Sequence, residues 1–379
     1  MSFPLSIATP SSLGLDVPSL DRLQELITRH LAEGRYPGAQ IAVAREGKLA
    51  LFRTFGDARL DPARVPAREN SLWLLYSNTK VITAAAVWIL AEQGALRFTD
   101  RVAEHVPGFE TNAKGDITIV QLLSHQGGFP NADVPKAAWE DHEVLRRAVS
   151  GFTLEWTPGS QVYYHGRAAH WVAAVLIEAV TKTDYRAFIR EQVIEPLGLG
   201  DELFVGLPDG RHERAVDMHE PAASGAGQVK RADENNPAFR RAGTPGGGGY
   251  ASARAMAAFY QMLAAGGTLN GRRLFSPRMI QYVTRSVTGS RVDGYMGMPM
   301  HRALGPHVRG TTETIRGLGS IASPRTFGHG GVGSSYCWAD PDSGVSFAYL
   351  TNSRVPDPWH SARLDVISNA VHAAISNDR

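Results

Sequence analysis

Two residues three places apart, Ser77 and Lys80, stand at the start of an apolar stretch, LWLLYSNTKVITAAAVWILAEQGAL (72–96). At helical spacing three residues rise roughly 4.5 Å and return to neighbouring faces, so the amine can reach the hydroxyl. A serine is a weak nucleophile without a base beside it. Lysine, with a reference pKa of about 10.4, becomes such a base only where burial lowers its proton affinity. A drop of about three units costs on the order of 4 kcal/mol, so the site must be dry and well organised. Leu74, Leu75, Tyr76, Val81 and Ile82 can supply that dryness. A helix N-terminus adds unpaired N–H groups and the positive end of a dipole, both suited to an oxyanion. The plain alternative is a serine that merely caps a helix, with Ser-x-x-Lys arising by chance.

The elements around this pair form a pattern. Leu20, Leu23, Ile27 and Leu31 recur at helical spacing, which predicts a helix over 17–34 with Ser19 as N-cap and Gly34 as its stop. AQIAVAREGKLALFRTFG reads as two strands turning at Glu46-Gly47. The helix that starts near Ser77 should end at Gly94. From about 100 to 235 helical segments dominate, among them ITIVQLLSHQGG, DHEVLRRAVSG, RAAHWVAAVLIEAVTKT and YRAFIREQVIEPLG. The glycine-rich stretch at 244–263 introduces another helix, and SSYCWADPDSGVSFAYLTNS is a second hairpin turning at Pro341–Gly344. An amphipathic helix, HSARLDVISNAVHAAI, follows. Hairpins near both ends that join in one antiparallel sheet, covered by the end helices and interrupted by a helical insertion, are the simplest packing.

The serine and lysine have company in a definite order. TIVQLLSHQGGF (118–129), GSQVYYHGRAAHWVAAVLIEAV (159–180), GGGGYASARAMAAF (246–259) and TFGHGGVGSSYCWADPDSG (326–344) follow them. With these motifs the chain resembles the serine β-lactamase and penicillin-binding-protein superfamily over about residues 20–375. Within it the chain looks most similar to class C β-lactamases and family VIII carboxylesterases. The resemblance implies an α+β fold, an α/β sandwich of the β-lactamase/transpeptidase type. Its sheet domain would comprise 1–100 and 236–379, a mainly helical domain 101–235, and the active site would lie in the cleft between them. It makes Ser77 the acylated nucleophile and Lys80 its proton partner. The count from Pro158-Gly159 selects Tyr164 as the family tyrosine, with Tyr163 the alternative. A phenol beside a buried ammonium can have its pKa pulled below the usual value of about 10 and so act as general base, then acid. In the third motif His329, Gly330 and Gly331 stand where the lactamases carry Lys-Thr-Gly, and the Val332 N–H would pair with the Ser77 N–H in an oxyanion hole.

Two departures bear on substrate. The asparagine two places after the family tyrosine is absent, since the chain reads Tyr164-His165-Gly166, and the third-motif lysine is replaced by His329. Both changes weaken recognition of an anionic amide and leave nucleophile, base and oxyanion hole in place, which favours neutral esters. Tyr76, His165 and Arg167 are further candidates for the substrate pocket, core packing being the alternative for Tyr76 and Arg167 as for Trp73 and Tyr163. His125 matches a recurrent family segment and is read mainly as structural.

Other chemistries are not supported. No Gly-x-Ser-x-Gly elbow occurs. HERAVDMHE (212–220) lacks the His-Glu-x-x-His spacing of a zinc site, and GTPGGGGY (243–250) lacks the Gly-Lys-Ser/Thr end of a phosphate loop. No cofactor or metal is expected. The 379 residues are 43% apolar and 20% charged with a formal charge of +2, a globular balance without a nucleic-acid surface. Cys337 is the single cysteine, so no intrachain disulfide forms. Neither a signal peptide nor a membrane span is read, which points to a cytoplasmic protein. The sequence reading is thus a serine carboxylesterase acting on short-chain or aryl esters through an acyl-enzyme. A β-lactamase, D-amino-acid amidase, peptidase or acyltransferase of the same fold is the alternative, and a non-catalytic penicillin-binding-like protein the second. The partner is a small-molecule ester, and oligomeric state is not readable.

Overall fold

The computed structural model describes residues 3–313 and 317–376. Its main sheet draws strands from both ends of the chain: β1 (Ser6–Ile7), β2 (Gly38–Arg45), β3 (Lys48–Arg59), β4 (His307–Val308), β5 (Phe327–Gly330), β6 (Tyr336–Asp340) and β7 (Val345–Thr351). They lie in the order β1-β3-β2-β7-β6-β5-β4, with Val65–Pro66 also pairing with β3. All these pairs are antiparallel except the short edge pair β1 and β3. Glu46 and Gly47 take φ of 55° and 69° in the turn between β2 and β3, the left-handed pair that a two-residue hairpin favours.

Side chains alternate across the sheet, and both faces are covered. Ile41, Val43, Trp338, Phe347 and Tyr349 pack under α1 (Val17–Ala32) and α5 (Trp359–His372) through Leu20, Leu23, Ile27, Leu364 and Ile367. The opposite face carries small residues, Ala42, Ala44, Ala339 and Ala348. Small side chains there let an alanine-rich helix lie close, and α4 (Ala253–Ala264) does so. The predicted cap of α1 is corrected: Asp16, not Ser19, is the N-cap, its carboxylate accepting from Ser19 N at 2.8 Å. Pro18 explains the shift, because a proline fits the first helical turn, where its missing N–H goes unused.

The same core takes in α2 (Thr79–Glu92) and α3 (Ala168–Thr181), each buried around most of its circumference. A helix apolar all round belongs in a core, so the residues at the start of α2 sit on a fixed base. In the segment 101–235 helices and turns alternate, with short strands added. One, Leu203–Val205, pairs with Gly249–Ala251, which also pairs with Trp73–Leu74. This small sheet ties the chain before Ser77 to the glycine run. The stretch YRAFIREQVIEPLG is not one helix: Tyr185–Ile189 passes into a π-turn at Arg190–Ile194 and a 3-10 turn at Glu195–Leu197, where Pro196 has no N–H for an α-helical bond. Among the described residues no helix is long and apolar enough to cross a membrane.

Candidate active site

Ser77 lies in a 3-10 turn, Tyr76–Asn78, that runs directly into α2. It is half-buried and opens into a cavity of about 640 Å³. One turn on, Lys80 has no exposed surface. Its Nζ lies 3.1 Å from Ser77 Oγ, 2.7 Å from the Gly166 carbonyl and 2.6 Å from the Gly246 carbonyl. Three acceptors satisfy an ammonium. A neutral amine keeps two N–H groups for the carbonyls and turns its lone pair toward the serine hydroxyl. Burial first, then the charges of Arg302 and Arg167, lower the Lys80 pKa to about 7. Close to neutrality a large share of the amine is therefore unprotonated, the form a base requires.

Tyr164 is the tyrosine brought to this pair. Its phenol shares a hydrogen bond with Ser77, and Lys80 Nζ lies 5.2 Å from its ring centroid. Its proton affinity corrects the sequence expectation. Burial outweighs the serine hydrogen bond and the Arg302 charge, and the pKa is raised to about 12 rather than lowered. Tyr164 is thus a proton donor at neutral pH, which leaves Lys80 as the group able to accept. Tyr163 points elsewhere, its ring against Trp156 and Tyr295.

The tyrosine is braced by an ion pair that the sequence did not reveal. Asp293 and Arg302 are both buried, with Arg302 donating to Asp293 Oδ2 at 2.9 and 2.7 Å. Asp293 Oδ1 accepts from the amides of Tyr164, Tyr295 and Met296. The Arg302 guanidinium lies 4.8 Å from the Tyr164 ring centroid and lines the cavity. On the other side the His125 ring is 4.8 Å away. His125 Nδ1 accepts from His165 N, and its carbonyl accepts from Tyr163 N.

Across the cavity, β5 and the turn after it bring Gly330, Gly331 and Val332 to the wall that faces Ser77. Close approach requires glycine at 331: a Cβ there would lie 2.4 Å from Ser335 Oγ and 2.7 Å from the Leu75 carbonyl. The Gly331 N–H is taken by the Ser335 carbonyl at 2.8 Å. Among the described residues, the Ser77 and Val332 amides donate to no backbone carbonyl. His329 lines the same cavity and is held well below the usual imidazole pKa by burial and by His307 and Lys80. Neutral, it gives the wall no cation.

The remaining sequence candidates, Tyr76, His165 and Arg167, do not line the Ser77 cavity. The Tyr76 ring turns into a separate apolar cluster, and its hydroxyl donates to Glu234 Oε1 at 3.0 Å. His165 is fully buried, with Nε2 accepting from Phe129 N and Nδ1 2.6 Å from the Tyr163 carbonyl. Burial lowers its pKa to about 4. Arg167 pairs with Asp133 at 3.0 Å and lines a neighbouring hollow of about 220 Å³. Glu234, Asp293 and Arg302 were missed because nothing in their local spacing marks them. The apolar lining, including Met296, Met300 and Leu364, was also unread. Among the described residues one group has metal-ligand spacing, His142, Glu178 and Asp184. Arg146 and Arg186 already occupy it.

Fold and site together define a serine hydrolase of the β-lactamase fold. The chain belongs to the Beta-lactamase family, whose model matches residues 23–371. It is 27% identical over 346 residues to the Esterase/beta-lactamase LipL of Mycobacterium tuberculosis, covering 84% of this chain and 77% of that one. A penicillin-binding protein homologue from Caulobacter crescentus superposes with TM-score 0.82 at 29% identity, covering 95% of this chain and 99% of the other. A family VIII carboxylesterase does so with TM-score 0.81 at 27% identity, with the same coverage.

Proposed function

We propose that this protein is a carboxylesterase that works through an acyl-enzyme on Ser77. The observation that carries the proposal is the amine of Lys80, dry, with a pKa of about 7 and 3.1 Å from the Ser77 hydroxyl, opposite a wall whose third-motif side chain, His329, is neutral. Ser77 Oγ attacks the ester carbonyl while neutral Lys80 takes its proton. The carbonyl oxygen becomes an alkoxide between the Ser77 and Val332 amides, where fixed donors stabilise charge as it develops. As the tetrahedral intermediate collapses, the Tyr164 phenol protonates the departing alcohol and Lys80 restores the phenol proton. Water then attacks the acyl-serine by the reverse proton route.

The ester preference has three supports. A neutral imidazole at 329 offers no charge to a lactam carboxylate, His165 is sequestered away from the cavity, and relatives of similar length include an esterase/β-lactamase and a family VIII carboxylesterase. A second reading, an amide-directed hydrolase, is favoured by Arg354. This partly exposed guanidinium lines the cavity 3.8 Å from the Glu234 carboxylate and is open to a substrate carboxylate. Parallel assays with p-nitrophenyl butyrate and nitrocefin separate the two. Ester turnover that is lost in Ser77→Ala, with a fluorophosphonate label mapping to Ser77, supports the esterase. Rapid nitrocefin hydrolysis with negligible ester cleavage replaces it with the second reading.

A further inference from the structure

Ser77 follows a residue whose backbone its own side chain disfavours. Tyr76 has φ of 45°, in the left-handed region where a bulky residue is an outlier. Such a conformation persists only where its surroundings over-determine it, and it concentrates at functional sites. Several contacts hold Tyr76. Its ring packs among Leu72, Leu74, Phe204, Met218 and Tyr250. Its carbonyl accepts from Thr79 Oγ1 at 2.7 Å, and that hydroxyl oxygen accepts from Gly249 N at 2.9 Å. Its phenol donates to Glu234 Oε1 at 3.0 Å.

The last contact is the informative one. Filling an apolar cluster needs a ring and no hydroxyl, and a glycine would adopt φ of 45° without strain. The chain instead uses a large side chain and ties its far end to a buried carboxylate 158 residues away. Burial, then the Glu234 charge, keep the phenol protonated and hence a donor. Glu234 Oε2 lies 2.8 Å from Arg231 Nε and Oε1 lies 3.8 Å from Arg354; Arg354 lines the cavity, whereas neither Glu234 nor Arg231 is part of its wall. The φ of Tyr76 sets the direction in which the next residue presents its amide and its hydroxyl, and both are needed for acylation.

We propose, resting on the assignment of Ser77 as nucleophile, that Tyr76 and Glu234 form a latch that fixes the attack geometry of Ser77. Glu234 is then a positioning residue that acts through Tyr76 without touching substrate. Tyr76→Phe keeps the ring and removes the tie. It should lower kcat ~10- to 100-fold, the scale of a misplacement of about 1 Å, with KM within about two-fold. The rate at which a fluorophosphonate labels Ser77 should fall in parallel. The acid limb of kcat/KM should stay where it is, because Lys80 keeps its partners. Glu234→Ala should have a similar effect, and the double variant should lose no more than the worse single one, as expected for one shared interaction. Tyr76→Phe that melts lower but keeps wild-type kcat and labelling rate would overturn the latch, as would effects that multiply. If Glu234→Ala does not fold, Tyr76→Phe decides alone. Full turnover in Ser77→Ala would remove the nucleophile assignment itself, an outcome distinct from either.

Discussion

Among the described residues two lysines have no exposed surface, Lys80 and Lys114. Each holds three oxygen acceptors, and each has an aromatic ring at similar range: Tyr164 at 5.2 Å from Lys80, Phe109 at 5.3 Å from Lys114. The partners of Lys114 are the carbonyls of Thr111, Ser150 and Phe152 at 2.7, 2.9 and 2.7 Å. Those of Lys80 are two carbonyls and one hydroxyl. Both pKa values are lowered by burial, but for Lys114 the Glu110 carboxylate pulls the other way. For Lys80 the nearby charges are Arg302 and Arg167, which push in the same direction as burial. Burial alone therefore does not make a base. A base needs one acceptor that can surrender a proton, and neighbours of its own sign.

Exchanging each lysine for methionine tests the comparison most severely. Lys80→Met should remove turnover, a loss of at least ~1000-fold for a residue that acts as a unit with the nucleophile. Lys114→Met should leave kcat/KM within about two-fold and lower stability by about 1–3 kcal/mol for carbonyls left unpaired, seen as a lower melting temperature. A catalytic defect in Lys114→Met would dissolve the contrast. Next in size, Tyr164→Phe should lower kcat by ~100-fold, the low end for a lost general acid. If Tyr163→Phe were the crippling change, the proton route would be misassigned.

The pH profile sharpens the contrast further. The active form of Lys80 is neutral, so kcat/KM should rise with pH through about 7 and then level off, with Tyr164 near 12 too high to impose an alkaline limb below pH 10. The paired change Arg302→Met with Asp293→Asn removes both charges of the brace and keeps an acceptor for the three amides. Without the guanidinium, Lys80 should hold its proton more tightly and the acid limb should move to higher pH. An unmoved limb would assign the lowered proton affinity to burial and the Arg167 charge without Arg302. The smallest effect belongs to Gly246→Ala. Its Cβ would lie 3.2 Å from Lys80 Nζ, close enough to nudge the amine, and a several-fold fall in kcat with little change in KM is expected.

Much of this was legible in the residues. Ser77 and Lys80 were marked by helical spacing, the first hairpin by Glu46-Gly47, the second by the Pro341–Gly344 turn, and Tyr164 by its distance from Pro158-Gly159. What failed depends on partners far along the chain. No periodicity links Asp293 to Tyr164, 129 residues away, or Glu234 to Tyr76. Local chemistry also misled where two answers were available: Asp16 and Ser19 are both capping residues, and only the proline between them decides. The proton affinity of Tyr164 turned on a competition between burial and charge, and the outcome depends on depths that a motif does not carry.

The two carbonyls that grip Lys80 come from positions 86 and 166 residues downstream. The amine that relays a proton is thereby also a rivet through three distant stretches of backbone. It holds them in either charge state, since two N–H bonds survive when the third proton leaves. Turnover can thus proceed without the seam slackening, whereas a reagent that carbamylates this nitrogen would spring the joint as well as silence the serine.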